Sequence, residues 1–229
     1  MKKSKRQTAI EASFDATKKY NVIQAAEIVK KNAIAKFDET VELHVNLGVD
    51  AKKTDQAVRG TAVLPKGLGK KKVVAVIAKG EKLKDALNAG ADFAGDADLI
   101  EKISKGWLDF DVLVATPDVM KDLTKLGKVL GPKGLMPNPK SGTVTLDVGR
   151  AVKELKAGRV EFKMDDSANL HASVGKASFK PQDIAENVET VLGAILAAKP
   201  ATAKGAYIRS VTLTSTMGAG VKLTHSVIA

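Results

Sequence analysis

The 229-residue sequence contains no cysteine, which excludes disulfide scaffolds, zinc ribbons, iron–sulfur centres and cysteine nucleophiles. Aromatic residues make up only 4% of the chain, so its hydrophobic cores must consist mainly of valine, leucine, isoleucine and alanine. The longest continuous apolar run, Val73–Ala78, is far too short to cross a membrane. The basic N-terminus is followed by Glu11 and Asp15, where a signal peptide would need an apolar segment. We therefore expect a soluble, cytoplasmic protein without a membrane partner.

Recognisable catalytic patterns are also missing. The three histidines, His44, His171 and His225, are too far apart along the chain for a metal-ligand motif. No G-x-S-x-G nucleophile motif is present, and no glycine cluster has the spacing of a P-loop or a dinucleotide fingerprint. We therefore expect no catalytic residue, no cofactor and no metal. An enzyme with a nucleotide-binding α/β domain remains the alternative, and detectable binding of NAD or ATP would support it.

Positive charge, by contrast, is abundant. Lysine and arginine number 37 against 26 aspartates and glutamates, which gives a net charge of +11 and a pI near 9.6. Such an excess favours a polyanionic partner, above all a nucleic acid. Composition alone leaves two other interpretations open. One is a basic enzyme, and the other is a protein-interaction scaffold whose charge serves solubility.

The N-terminal part of the chain changes from a helical to a strand-like hydrophobic period. Helices are expected at Thr8–Lys19 and, after a capping Asn21, at Val22–Lys36. Apolar and polar residues then alternate strictly over Glu39–Leu47, which predicts a strand with one buried face. A further short strand is expected at Val58–Leu64.

The middle of the chain has the pattern of an α/β layer structure. A linker rich in glycine and lysine, Pro65–Lys72, precedes the apolar run Val73–Ala78, and a second such run is Val112–Ala115. Both runs predict strands buried on two faces, as in a parallel sheet. Helices are expected at 81–89, 97–104, 118–126 and 147–155. This alternation predicts helices packed around a parallel sheet.

The C-terminal part returns to the two-residue period. Two alternating segments, 159–164 and 169–174, predict a β-hairpin across a polar turn. Pro181 opens an amphipathic helix, and strands are expected at Tyr207–Thr216 and Val221–Leu223.

These segments suggest a discontinuous domain with an insertion. The opening strands are too few to bury a face alone, so we expect the C-terminal segment to return and pair with them. Domain one would comprise residues 1–67 and 160–229, and domain two would be the inserted residues 68–159. The fold class is therefore α/β with two domains. Glycines at both crossings, Gly67 and Gly158, would permit hinge motion.

Domain one also offers a candidate surface for RNA. The polar face of its strands is predicted to carry Glu42, His44, His171, Ser173, Thr212 and Thr214. Beside this face lie Lys36-Phe37, Lys176 and the strand end Ser215–Gly218. Glycine and hydroxyls suit a close approach to the RNA backbone, and an exposed phenylalanine can stack on a base. The pattern fits equally well with a buried Phe37 and an ordinary threonine-rich strand.

One continuous motif carries a resemblance to a known family. The segment Met120-Lys121-Asp122-Leu123 through LGKVLGPKGLMPNP, together with the flanking DVLVATPDVMKDLTK, resembles the bacterial large-subunit ribosomal protein L-one family. The segments FDETVELHVNLGVD, RGTAVLPKGLGK, HASVGKASF and RSVTLTSTMGAGVKL are similar to the same family. The resemblance covers essentially the whole chain.

The resemblance implies both a fold and a function. The fold would be a discontinuous α+β split-βαβ domain with an inserted Rossmann-like domain. The protein would be a structural constituent of the large ribosomal subunit that binds rRNA at the mobile side stalk and helps exit-site tRNA to leave. When free, as a monomer, it would bind the mRNA of its own operon and repress translation. Its partners would be these RNAs and other ribosomal components.

The resemblance also places the principal RNA contacts on domain one. The positions that match the family are Lys36, Phe37, Thr40, Glu42, His171, Gly175, Lys176, Ser178, Ser215, Thr216, Met217 and Gly218.

Overall fold

The computed structural model describes residues 5–224, and its contacts divide the chain into two compact units. The outer unit runs to Gly69 and resumes at Val160, and the inserted unit is Lys70–Arg159. The helices are α1 (Lys5–Ser13), α2 (Val22–Asn32), α3 (Glu81–Asn88), α4 (Ala97–Ser104), α5 (Met120–Thr124), α6 (Gly127–Leu130), α7 (Val148–Ala157) and α8 (Pro181–Ala197). The strands are β1 (Thr40–Leu47), β2 (Arg59–Val63), β3 (Val74–Ile77), β4 (Phe93–Gly95), β5 (Val112–Ala115), β6 (Arg159–Lys163), β7 (Asn169–Lys176), β8 (Ile208–Ser215) and β9 (Val221–Lys222).

The outer unit is built on a four-stranded sheet of order β7-β1-β8-β9. Strand β1 pairs antiparallel with both β7 and β8, which confirms that the C-terminal segment returns to the opening strand. The apolar side of β1, from Val41 to Leu47, is fully buried against α2 and α8. Its polar side is left on the opposite face of the sheet.

The predicted hairpin between β6 and β7 was wrong. Strand β6 pairs with β2 in a separate two-stranded sheet, whereas β7 pairs with β1. A single bridge, Met164 with Leu170, links the two segments directly. The turn between them forms because the Asp165 carboxylate accepts the N–H groups of Ser167 and Asn169. Each strand therefore leaves the turn for a different partner.

Both N-terminal helices end earlier than predicted. Helix α1 stops at Ser13, and Asp15 next to it accepts the N–H of Thr17 in a local turn that competes with helix formation. Helix α2 stops at Asn32, and the N–H of Ala35 is bound by the Glu39 carboxylate instead of by a helical carbonyl. Residues 33–39 therefore form a loop that leads into β1.

The inserted unit is a small α/β sandwich. Its parallel sheet has the order β4-β3-β5, and the central strand Val74–Ile77 is completely buried. Apolar residues of α3 and α7 pack on one face, and those of α4, α5 and α6 pack on the other. The predicted buried strands and the α/β class are confirmed. Among residues 5–224 no helix is long and apolar enough to span a membrane.

Candidate nucleic-acid interface

The polar face predicted from the sequence is assembled from three strands. Glu42 of β1 lies opposite Ser173 of β7 and Thr214 of β8. Two residues further along β1, on the same face, His44 lies opposite His171 and Thr212. Because side chains alternate across a sheet, these residues share one surface.

Two of the histidines that are distant in sequence meet on this face. The Nδ1 atoms of His44 and His171 are 2.7 Å apart, so one ring donates a hydrogen bond to the other. Burial lowers the pKa of His44, and the neighbouring His171 lowers it further, whereas the carboxylate of Glu42 opposes the shift. Within the described part of the chain no third ligand completes a metal site. His225 lies outside the described residues.

The end of the face where β1 begins carries two exposed apolar side chains. Phe37 is 57% exposed and Met217 is 46% exposed. Phe37 is therefore not a core residue, which excludes the buried position that the sequence left open for it. Lys36 next to it is also exposed. Ile34, which the sequence did not single out, is 59% exposed in the same loop.

A tight turn follows β8 at this edge. The N–H of Thr40 donates to the hydroxyl of Thr216, and the N–H of Thr216 donates back to the Thr40 carbonyl, both at 3.0 Å. The N–H of Gly218 closes the turn on the Ser215 carbonyl at 3.0 Å. A Cβ atom at Gly218 would collide with the Ser215 hydroxyl oxygen, so a larger residue here requires Ser215 or the turn to shift. Ser215, predicted as an RNA contact, is instead buried with 2% exposure, and its hydroxyl has no hydrogen-bond partner among the described residues.

The end of β7 reaches the same edge. Lys176 lies opposite Thr40 in register, and its Nζ atom donates to the Thr40 hydroxyl at 2.8 Å. Ser178 donates its N–H and its hydroxyl to the two carboxylate oxygens of Asp38. A side chain at Gly175 would press on the Phe179 ring, with its Cβ atom 3.0 Å from that ring. The structure thus gathers the predicted segments at one end of the sheet, with His171 further along β7.

Two acidic residues of this edge were missed at the sequence level. Asp38 and Glu39 are not among the predicted contacts, yet both accept hydrogen bonds from neighbouring segments. Glu39 is only 2% exposed, and its carboxylate accepts the N–H groups of Ala35 and Met217, each at 3.0 Å. The only sequence signal was an acidic pair directly before a strand.

In the inserted unit, the segment from Gly131 to Pro139 folds back on the domain core. The N–H of Gly134 bonds the Gly131 carbonyl, and Leu135 and Met136 pack against the buried cluster. Lys128 and Lys133 are exposed around it, and the Lys140 side chain lies outside what the structure describes. This packing gives the glycine- and proline-rich motif a structural role.

The comparison with known families decides the general function. A model of the Ribosomal protein L1p/L10e family matches residues 29–219, which include both units. The chain belongs to this family. It is therefore a structural ribosomal protein of the large subunit that binds rRNA and associates with the ribosome, and this family is generally non-enzymatic.

Proposed function

We propose that the outer unit binds large-subunit rRNA of the mobile side stalk through the edge where β1 begins and β7 and β8 end. The observation that carries this proposal is the exposure of Phe37 and Met217, which belong to the two segments that the Thr40–Thr216 hydrogen bonds join. Both side chains are exposed, and an aromatic ring and a flexible thioether suit contact with bases and sugars. The inserted unit adds secondary contacts and mobile mass.

The surroundings of this edge favour recognition by shape over simple charge attraction. Lys36 and Lys176 bring positive charge, but Asp38, Glu39 and Glu42 lie in the same region. The net charge of +11 belongs to the whole chain and not to this surface alone. Hydroxyls and backbone groups can read the 2′-hydroxyls that distinguish RNA from DNA. We therefore expect a moderate dependence of affinity on salt.

The finer biological roles follow from the same surface. One RNA-binding edge can serve two targets of similar shape, the side-stalk rRNA and the mRNA of the protein's own operon. Free monomeric protein would then repress translation when rRNA is saturated. On the ribosome, the cytoplasmic protein would move with the side stalk and assist the release of exit-site tRNA.

A gel-shift titration tests the proposed site. The side-stalk rRNA fragment and a scrambled RNA of the same length are titrated with protein at two salt concentrations. Phe37→Ala and Met217→Ala should each weaken binding to the fragment by about 5-fold to 100-fold, the scale of one stacking contact. Leu146→Ala removes a 65% exposed apolar side chain from the inserted unit and serves as the matched control. Equal affinity for both RNAs, or unchanged affinity in both variants, would reject the site.

The repressor role has a separate test. An unlabelled fragment of the operon's own mRNA leader should displace the labelled rRNA fragment, because both would occupy the same edge. Met217→Ala should weaken the binding of both RNAs by similar factors. Simultaneous binding of the two RNAs to one protein molecule would refute the shared site while leaving rRNA binding intact.

A further inference from the structure

Glu39 is a buried carboxylate at the centre of the proposed RNA-binding edge. Its Oε1 atom accepts the N–H of Ala35, and its Oε2 atom accepts the N–H of Met217. Both distances are 3.0 Å, and the two amides are separated by most of the chain length. A buried carboxylate is tolerated only when hydrogen bonds replace its hydration, and those to a charged acceptor are the strong ones.

Each of these amides belongs to a segment that carries an exposed apolar residue. Ala35 lies in the loop 33–39, two residues before Phe37, and Met217 presents its own side chain from the turn after β8. Neither amide is part of a helix or a strand. The carboxylate therefore supplies an anchor that regular secondary structure does not supply there.

A third segment is anchored on the same residue. The carbonyl oxygen of Glu39 accepts the N–H of Ala177 at 2.8 Å, directly after Lys176 and directly before Ser178. The carboxylate of the neighbouring Asp38 accepts from Ser178, its carbonyl accepts from the Lys176 ammonium, and the residue is exposed. Glu39 is thus the residue at which the loop of Phe37, the turn of Met217 and the end of β7 all meet.

We infer that Glu39 is a positioning residue for RNA binding, which rests on the proposed site: it holds the Phe37 loop and the Met217 turn in their binding arrangement before RNA arrives. Ordering two loose segments at the moment of binding costs affinity, and a preformed surface avoids that cost. Glu39 itself is too buried to touch RNA. Its carboxylate is hydrogen-bonded to the two amides and is buried, unlike the carboxylate of a surface acid.

The test compares Glu39→Gln with wild type. The glutamine keeps the shape, but its NH₂ group faces one of the two amide donors, so one anchor is lost. We expect binding of the side-stalk rRNA fragment to weaken about 10-fold. The slope of affinity against salt should stay unchanged, because no phosphate contact is removed. Glu39→Asp keeps the charge but is too short to bridge both amides, and it should weaken binding as well.

The matched control is Asp92→Asn in the inserted unit. The Asp92 carboxylate also bridges two segments, because it accepts the N–H of Val74 at 2.8 Å and the Lys156 ammonium at 3.1 Å. This variant should lower the melting temperature without changing RNA affinity. A general loss of stability would thereby be separated from a loss of the binding arrangement.

A mutant cycle that combines Glu39→Gln with Phe37→Ala/Met217→Ala distinguishes a positioning role of Glu39 from a purely structural one. In a Phe37→Ala/Met217→Ala background, Glu39→Gln should cost less than about threefold, since the side chains that it positions are gone. The same tenfold loss in both backgrounds would overturn the inference. So would wild-type affinity in folded Glu39→Gln and Glu39→Asp. If the wild-type protein binds the side-stalk fragment no more tightly than the scrambled RNA, the proposed RNA-binding edge itself is rejected, independently of Glu39.

Hydrogen exchange tests the same inference without any substitution. In wild-type protein free of RNA, the amides of Ala35 and Met217 should be protected from exchange, because both are hydrogen-bonded to the carboxylate. Exchange of these two amides at the rate of an unstructured peptide would overturn the inference even if the variants fail to fold.

Discussion

The turn after β8 depends on one glycine, which makes it a sensitive test of the proposed interface. A Cβ atom at Gly218 would collide with the hydroxyl oxygen of Ser215, whereas the next nearest atom, the Ser215 Cβ, would lie at an ordinary 3.6 Å. Ser215 is only 2% exposed, so its hydroxyl has little room to move away. Gly218→Ala should therefore push the turn, and Met217 with it, out of position.

The expected magnitude follows from the cost of overpacking. Forcing an extra methyl group into a tightly packed site costs about 1–3 kcal/mol. If the whole cost is subtracted from the free energy of binding, affinity for the side-stalk rRNA fragment falls roughly 5-fold to 150-fold. The structure also predicts a rescue. Ser215→Ala removes the colliding oxygen, and in Ser215→Ala/Gly218→Ala binding should return to within about threefold of wild type.

Two controls make the gel-shift result decisive. Ser215→Ala alone should bind nearly as wild type, because the hydroxyl has no hydrogen-bond partner among residues 5–224 and is too buried to meet RNA. Gly193→Ala adds a methyl group in α8, where no atom outside the local helix backbone lies within 4 Å of the new Cβ, and it should leave binding unchanged. A double variant that binds as weakly as Gly218→Ala would refute the reasoning, because the collision would then not be the cause.

The remaining predictions concern stability and the two units. Leu43→Ala removes a fully buried side chain from β1 and should lower the free energy of unfolding by about 2–5 kcal/mol in urea titrations; a loss under 1 kcal/mol would contradict the burial. Because the pKa of His44 is lowered in the folded state, the unfolded state binds more protons below about pH 6.5, so stability should fall from pH 7 to pH 5. His44→Asn should flatten that dependence, and an unchanged slope would argue against it. Replacing residues 70–159 by a short glycine–serine linker should leave a folded outer unit that keeps most RNA affinity, as judged by circular dichroism and gel shift; a folded deletion that no longer binds would assign the site to the inserted unit.

The parts of the fold that could be predicted are those with strong local periodicity. Strict alternation in β1 indicated which face is buried, and Pro181 marked the first residue of α8. The continuous apolar run around Val74 indicated a strand covered on both sides. In each case a short stretch of sequence contains the whole signal, because the burial of alternate or successive residues follows from backbone geometry.

The parts that could not be predicted depend on partners far away in sequence. The hairpin was expected because two alternating segments flank a polar turn, yet β6 pairs with β2 and β7 pairs with β1. The His44–His171 contact exists only because β1 and β7 are in register, and spacing along the chain hides it. For the same reason the sequence left open whether Phe37 is buried. An aromatic residue between a helix and a strand is compatible with either outcome until the loop is placed.

The acidic residues show most clearly how charge alone misleads about an RNA-binding surface. A count of charges alone would rate Glu39 as unfavourable for RNA binding, because a carboxylate repels phosphates. The structure gives that carboxylate two backbone amides and almost no contact with solvent. Its hydrogen bonds join the two segments that carry Phe37 and Met217. If affinity at this edge arises from shape, then a buried acid that maintains the shape can matter more than an exposed lysine whose contact with phosphate is screened by salt.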